Sequence, residues 1–230
     1  PFCRPLRFSA NDCAAGTKNT NFAAIDIFYT NAIGFAAFGV VNSHIRNMNG
    51  HGFVDDAALK DLAFADCVVP IPCGQTIPRP AATGQLLQAL GLGCERKARL
   101  LVIGMGSGYI AALAGQLAAD VFGVERYNKL TDHARQRIVS LGLDNLAVRY
   151  GDGLLGWAER GPYDRVLITG LVDAIPQALF DQLKPGGLVI TPMQHEGRQQ
   201  IARMARDGTT EWFGLSHELA PMVPGSSQAL

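Results

Sequence analysis

Three closely spaced glycines, Gly104, Gly106 and Gly108, follow an apolar run over residues 100–103 and precede a helical pattern. At such a strand-to-helix turn the free backbone N–H groups and the positive helix end point outward. Glycine there tolerates a tight turn and lets a ligand approach the backbone. The pattern therefore predicts a site for a nucleotide-like ligand at this loop.

Two acidic residues follow the next two apolar runs. Glu125 lies about twenty residues beyond the loop, where a carboxylate can accept hydrogen bonds from both ribose hydroxyls. Asp152, between Gly151 and Gly153, is placed to accept from an adenine amino group. Three consecutive strand ends thus each place a hydrogen-bonding group at one crevice. This arrangement indicates an adenosine-containing ligand.

The glycine spacing tests whether this ligand is a dinucleotide. A dinucleotide-binding loop has its third glycine five positions after the first, but that position is Tyr109 here and the third glycine comes one residue earlier. The spacing disfavours NAD as that ligand.

Strands and a doubly wound α/β fold must position these residues, because short apolar runs alternate with helical patterns from residue 99 onward. Two alternating segments, residues 200–206 and 210–217, flank Asp207 and Gly208 and predict a C-terminal antiparallel hairpin. We expect one domain over residues 1–230, with a helical cap in 1–98 and the ligand-binding core in 99–230. The predicted core strands cover residues 100–103, 121–124, 146–150, 165–169 and 188–191.

Composition excludes several classes of function. Twenty basic and twenty acidic residues are scattered along the chain, so no basic stripe indicates nucleic acid as a partner. The most apolar stretch, residues 22–41, is interrupted by polar side chains and is interpreted as a packed helix, not a membrane span. Five cysteines without a CxxC pair favour reduced thiols and a cytoplasmic location.

Four motifs resemble the protein-L-isoaspartate O-methyltransferase family. CGQTIPRP at residues 73–80 is similar to the distinctive GQTIS-x-P motif of that family, and IGMGSGY at 103–109 is similar to its cofactor loop. GDG at 151–153 and LKPGG at 183–187 also fit. The resemblance extends from about residue 53 nearly to the C-terminus.

The resemblance implies a seven-stranded sheet with one reversed strand and S-adenosylmethionine as the methyl donor. The acceptor implied is the carboxylate of an isoaspartyl residue in a damaged protein, and the implied assembly is a monomer or homodimer. Thr76 and the position of Pro78 are the implied catalytic positions. The predicted cofactor-binding residues are Gln75, Thr76, Ile77, Gly104, Gly106, Ser107, Gly108, Glu125, Arg126, Asp152 and Gly153.

Three residues differ from the family pattern. Pro78 replaces the motif serine, Val102 replaces an acidic residue before the glycine loop, and Asp173 lies in GLVDAIP, where the family has AAAPxxP. Proline supplies neither a hydroxyl nor a backbone N–H. Two alternatives therefore stay open: a non-catalytic, regulatory S-adenosylmethionine-binding protein, and a methyltransferase with another acceptor.

Other chemically active side chains receive structural interpretations. Cys73 is interpreted as an apolar packing residue, and the five histidines lack the spacing of metal ligands. Lys129, Arg135 and Arg137 share the polar side of a predicted helix, and we expect them to be solvated.

Overall fold

The computed structural model describes residues 50–92 and 96–227. Four α-helices lie in this part of the chain, α1 (Pro80–Ala89), α2 (Tyr109–Gly115), α3 (Asn128–Ser140) and α4 (Gln177–Asp181). Short 3₁₀ helices cover Gly50–Phe53, Ala57–Phe64, Gly153–Leu155 and Ala158–Arg160. The strands are β1 (Val69–Ile71), β2 (Gln75–Ile77), β3 (Arg99–Ile103), β4 (Asp120–Glu125), β5 (Leu146–Tyr150), β6 (Tyr163–Ile168), β7 (Leu183–His195), β8 (Arg198–Ala205) and β9 (Thr210–Gly214).

Seven strands form one sheet in the order β5-β4-β3-β6-β7-β8-β9. The pairs from β5 to β7 are parallel, whereas β8 is antiparallel to both of its neighbours. Only β8 is therefore reversed among these seven strands. The predicted doubly wound fold and its C-terminal hairpin are confirmed.

Helices cover both faces of the sheet, so its central strands are continuous apolar runs. Leu100 and Val102 of β3 belong to one buried cluster, which also contains residues of α1, α2 and α3. Leu101 and Ile103 point to the other face and pack in the cluster that contains Leu179 of α4. This alternation follows from the period of two in a β-strand. The resulting core holds the strand ends rigidly in place.

The region around LKPGG differs from the sequence prediction. The strand was predicted over residues 188–191, but β7 already begins at Leu183, soon after α4 ends at Asp181, so LKPGG lies within the strand. Tyr163 pairs with Leu183, and the register then shifts before Arg165 pairs with Leu188. A side chain at Gly187 would meet backbone oxygens at 2.9 and 3.0 Å, so glycine allows this irregular pairing.

The described part of the N-terminal cap is less helical than predicted. Asp56 caps the 3₁₀ helix that follows it, and α1 buries Leu86 and Leu87. The stretch between them forms an antiparallel β1–β2 hairpin. The predicted helix over residues 22–41 lies outside the described residues. No helix within residues 50–92 and 96–227 has the length and apolar character needed to cross a membrane.

Candidate active site

A cavity of about 410 Å³ opens at the carboxyl ends of β3, β4, β5 and β6. The chain leaves β3 toward β4 on one side and returns to β6 on the other, so this edge is a topological switch point. Open α/β sheets bind ligands at such points. The predicted site residues that line the cavity are Gln75, Thr76, Ile77, Pro78, Gly104, Gly106, Ser107, Glu125, Arg126, Asp152 and Gly153.

Gly108 is the predicted site residue that does not line the cavity. Its φ is +88°, and it immediately precedes α2. A Cβ atom there would meet the Cβ of Ala134 on α3 at 3.1 Å. Gly108 therefore allows a left-handed turn and close packing of the loop against α3.

Glu125 is 4% exposed and lies directly behind the glycine loop. Its Oε2 accepts from the Gly106 N–H at 2.8 Å, and its Oε1 accepts from the Tyr127 N–H at 3.0 Å. Burial raises the pKa of this carboxyl, although the backbone hydrogen bonds oppose the shift. Each oxygen retains a second lone pair that can accept from a ligand hydroxyl.

Asp152 connects the end of β5 to the C-terminal segment. Its Oδ1 accepts from the Leu154 N–H at 2.9 Å, and its Oδ2 accepts from the Gly225 N–H at 2.8 Å. Arg126 Nε donates to the Gly225 carbonyl at 3.1 Å, and the Ser227 N–H donates to the Arg126 carbonyl at 2.7 Å. Two predicted cofactor residues thus hold this segment against the strand ends.

The C-terminal segment is a part of the site that the sequence did not predict. Residues 217–223 line the cavity, and they include the titratable residues His217 and Glu218. Leu171, just beyond β6, exchanges backbone hydrogen bonds with Ala220 and Met222 at 2.9 and 2.8 Å. These contacts are made by the backbone, so no side-chain pattern signals them.

The GQTI segment forms β2 and packs over the glycine loop. A Cβ atom at Gly106 would be 3.4 Å from Ile71 of β1, the other strand of the hairpin. Gln75 Nε2 donates to the Cys73 carbonyl at 3.2 Å and to the Tyr127 hydroxyl at 3.4 Å. Thr76 is exposed at the cavity mouth. The structure thus brings the GQTI segment and the glycine loop to one cavity.

The tight turn between β1 and β2 contains Cys73, whose φ is +64°. Its side chain packs against the buried cluster that contains Leu100 and Val102, and burial raises the pKa of the thiol. Cys67 is also a free thiol. Cys3, Cys13 and Cys94 lie outside the described residues.

Two of the residues that depart from the family pattern lie away from the cavity. Val102 is completely buried within β3, and Asp173 is exposed to solvent. Neither lines the cavity, whereas Pro78 does. An inward-pointing Asp173 would have repelled an anionic acceptor, but the structure does not place it there.

The interpretation of Arg137 as a solvated side chain is wrong. Its side chain is only 12% exposed, because it reaches toward the segment that precedes β1. Lys129 and Arg135 are exposed as expected. The helical pattern identified the correct polar side of α3 but gave no sign of the distant segment that covers Arg137.

The sheet order and the cavity at the strand ends define a class I methyltransferase architecture. Two solved structures share it: a protein-L-isoaspartate O-methyltransferase aligns over 83% of this chain and 66% of its own with a TM-score of 0.69 and 24% identity. A Plasmodium falciparum protein described as the same kind of enzyme, in complex with S-adenosyl-L-homocysteine, aligns over 80% and 97% with a TM-score of 0.57 and 17% identity.

Sequence comparisons define the family within that class. The model of the protein-L-isoaspartate(D-aspartate) O-methyltransferase family matches residues 31–227. The protein-L-isoaspartate O-methyltransferase of Maricaulis maris is 40% identical over 172 residues, which cover 74% of this chain and 80% of the relative. That of Xanthobacter autotrophicus is 38% identical over 178 residues, covering 76% and 80%. The chain belongs to this family, and the match begins before residue 53.

Proposed function

We propose that this chain is an S-adenosylmethionine-dependent methyltransferase that acts on the carboxylate of isoaspartyl residues in damaged proteins. Family membership supports the reaction class, and the names of the relatives support the acceptor. The observation that carries the proposal is the single cavity lined by both the GQTI segment and the glycine loop. The first segment is distinctive of the family, and the second is where the donor would bind.

The residues around the cavity fit an adenosyl ligand. Gly104 and Gly106 present backbone without side chains, and a Cβ at Gly104 would meet Thr169 Oγ1 at 2.8 Å. Glu125 offers carboxylate lone pairs to ribose hydroxyls, and Ser107 Oγ is buried with no hydrogen-bond partner within residues 50–92 and 96–227. We propose that these residues, together with Gln75, Thr76, Ile77, Arg126, Asp152 and Gly153, hold the cofactor.

The chemistry needs orientation more than acid–base groups. When bound, S-adenosylmethionine would supply an electrophilic methyl group to a carboxylate oxygen, with its sulfur as the leaving group. A carboxyl group of pKa about 4 is already ionised at neutral pH and needs no base. Ile77, Pro78 and Met222 place apolar atoms in the cavity lining and would exclude water from the reacting groups.

A second candidate function is methyl transfer to a different acceptor. Pro78 occupies the position of the family serine in the cavity lining and cannot donate a hydrogen bond to an acceptor carboxylate. Glu218 adds an acidic residue to the same lining. Both features favour an acceptor that is not an anion.

A methyl-transfer assay separates the two functions. Labelled S-adenosylmethionine is supplied with an isoaspartyl peptide and with a sequence-matched aspartyl peptide. We expect transfer to the isoaspartyl peptide alone. Transfer to neither peptide, by protein that binds S-adenosylhomocysteine, would overturn the isoaspartyl function and favour the second candidate.

A substitution at residue 78 tests the acceptor side of the cavity. Pro78→Ser adds a hydroxyl there, and one new hydrogen bond should raise kcat/KM for the isoaspartyl peptide by about fivefold. Pro80→Ser is the matched control, because Pro80 starts α1 and does not line this cavity. Equal effects of the two substitutions would contradict a role for position 78.

We also infer a cytoplasmic location and an isoaspartyl-containing protein or peptide as the partner. The free thiols of Cys67 and Cys73 support the location, because reduced cysteines are typical of a reducing compartment. The proposed assembly is a monomer or homodimer.

A further inference from the structure

Arg137 of α3 connects the glycine loop to the segment around Gly52. Its Nη1 donates to the Ser107 carbonyl at 3.0 Å, and its Nε donates to the Gly52 carbonyl at 2.7 Å. Its Nη2 donates to the carboxylate of Asp55. One guanidinium therefore bonds both a peptide group of the loop and the segment that packs beside it.

The loop needs support of this kind because of its composition. Glycine loses more backbone freedom on ordering than any other residue, and the loop has glycine on both sides of Ser107. Helix α3 supports it at two points one turn apart. Ala134 packs against Gly108, and Arg137 fixes the carbonyl of the intervening Ser107–Gly108 peptide.

The segment held by Arg137 also packs against the loop. Phe53 is 2% exposed, and its ring meets the ring of Tyr109 edge-on at 5.5 Å between centroids. Tyr109 follows Gly108 and lines the cavity. Arg137 thus contacts the loop directly and also hydrogen-bonds Gly52 and Asp55, which lie on either side of Phe53 in the chain.

The charges at this junction are matched. Asp55 lies beside both Arg137 and His133, whose Nδ1 is 3.4 Å from the Asp55 Oδ1. Burial lowers the pKa of Arg137, and Asp55 opposes that shift. Loss of the guanidinium would leave the carbonyls of Ser107 and Gly52 without this donor and Asp55 without its main partner.

We propose that Arg137 is a positioning residue for the cofactor loop. It does not line the cavity; it fixes the Ser107 peptide and the Gly52–Asp55 segment in the arrangement that binds the adenosyl ligand. The inference rests on the proposed function only for the identity of that ligand.

The test uses the full chain with Arg137→Gln, Arg137→Lys and the matched control Arg135→Gln. Arg135 lies on the same helix but is exposed, and within the described part of the chain it bonds only to Asp132. Affinity for S-adenosylhomocysteine is measured by calorimetry at a temperature where circular dichroism shows each variant folded. KM for S-adenosylmethionine, KM for the isoaspartyl peptide and kcat are measured beside it.

We expect Arg137→Gln to weaken S-adenosylhomocysteine binding about tenfold, with a matching rise in KM for S-adenosylmethionine. KM for the peptide and kcat should stay within about twofold. Arg137→Lys should recover part of the affinity, since lysine keeps the charge but not the planar fork. Arg135→Gln should behave as wild type.

Affinity of Arg137→Gln within about twofold of Arg135→Gln would overturn the inference, as would a loss of kcat with unchanged S-adenosylhomocysteine affinity. If Arg137→Gln does not fold, Arg137→Lys decides: the inference requires at least a threefold loss of affinity. Wild-type protein that binds S-adenosylhomocysteine but does not methylate the peptide would refute only the proposed acceptor, because the binding comparison still decides the role of Arg137.

Discussion

The carboxylate of Glu125 lies in the core behind the glycine loop and accepts a backbone hydrogen bond with each oxygen. These bonds stabilise its ionised form, but burial has the larger effect and raises the pKa. Glu125 in the folded protein therefore retains its proton to higher pH than in the unfolded chain. Below the ordinary carboxyl pKa, Glu125 is protonated in both the folded and the unfolded protein. As pH rises from there through the folded-state pKa, ionisation destabilises the folded protein relative to the unfolded chain.

This linkage predicts the pH dependence of a Glu125→Gln variant. Its stability relative to wild type should improve as pH rises from below the usual glutamate pKa through the raised one, because glutamine cannot ionise. Chemical denaturation at a series of pH values measures the difference. A relative stability that is constant or falls over this range would show that the carboxylate is not penalised by burial.

Gly153 illustrates a glycine required for packing, not for its backbone angle. A Cβ there would lie 2.4 Å from Cγ2 of Ile103, which is fully buried in β3. Gly153→Ala should therefore lower the free energy of unfolding by about 1–3 kcal/mol, as other overpacked cores do.

Gly214→Ala is the control for this prediction. Gly214 has ordinary backbone angles and no atom within 4 Å of the added methyl group. Thermal and urea denaturation should show a change of less than about 0.5 kcal/mol for the control. Equal changes in both variants would contradict the predicted contact with Ile103.

At the scale of elements, the C-terminal segment closes the cavity through three strand ends. The backbone of this segment forms hydrogen bonds with one residue beyond each of three strands: Leu171 after β6, Asp152 after β5 and Arg126 after β4. Ending the chain after residue 223 removes the bonds to Gly225 and Ser227. We expect affinity for S-adenosylhomocysteine to fall about tenfold, because Arg126 and Asp152 lose the partner that orients them.

A chain ending at Ser227 is the control, because it keeps all of these bonds and should bind as wild type does. Fluorescence or calorimetric titration of both truncated proteins measures the difference. Equal affinity in the two would show that the segment does not contribute to the ligand site.

Sequence patterns predicted the elements of the core better than those around it. The strand over residues 146–150 has the predicted bounds, since an apolar run between turn residues defines it locally. The β1–β2 hairpin was missed although Gly74 lies in its turn, because each of its strands has only three residues and shows no clear alternation. Arg137 was misinterpreted because its partners Gly52 and Asp55 are more than eighty residues away in the chain.

At the scale of the whole molecule, the switch in strand order gathers residues that are distant in sequence. One edge of the sheet is reached by all five parts of the site: the GQTI segment, the glycine loop, Glu125, Asp152 and the C-terminal segment. The sequence could predict that the strand ends meet, because parallel strands present their carboxyl ends together. It could not predict that residues 217–223 complete the cavity, since their backbone contacts carry no compositional pattern.

Titration of the full chain with S-adenosylhomocysteine and, separately, with NAD tests this assembled site most directly. Calorimetry should show one S-adenosylhomocysteine per chain, about tenfold weaker binding in Glu125→Gln, and no heat of binding with NAD. Binding of NAD without binding of S-adenosylhomocysteine, by protein that unfolds cooperatively, would contradict the assignment of the cavity to an adenosyl methyl donor.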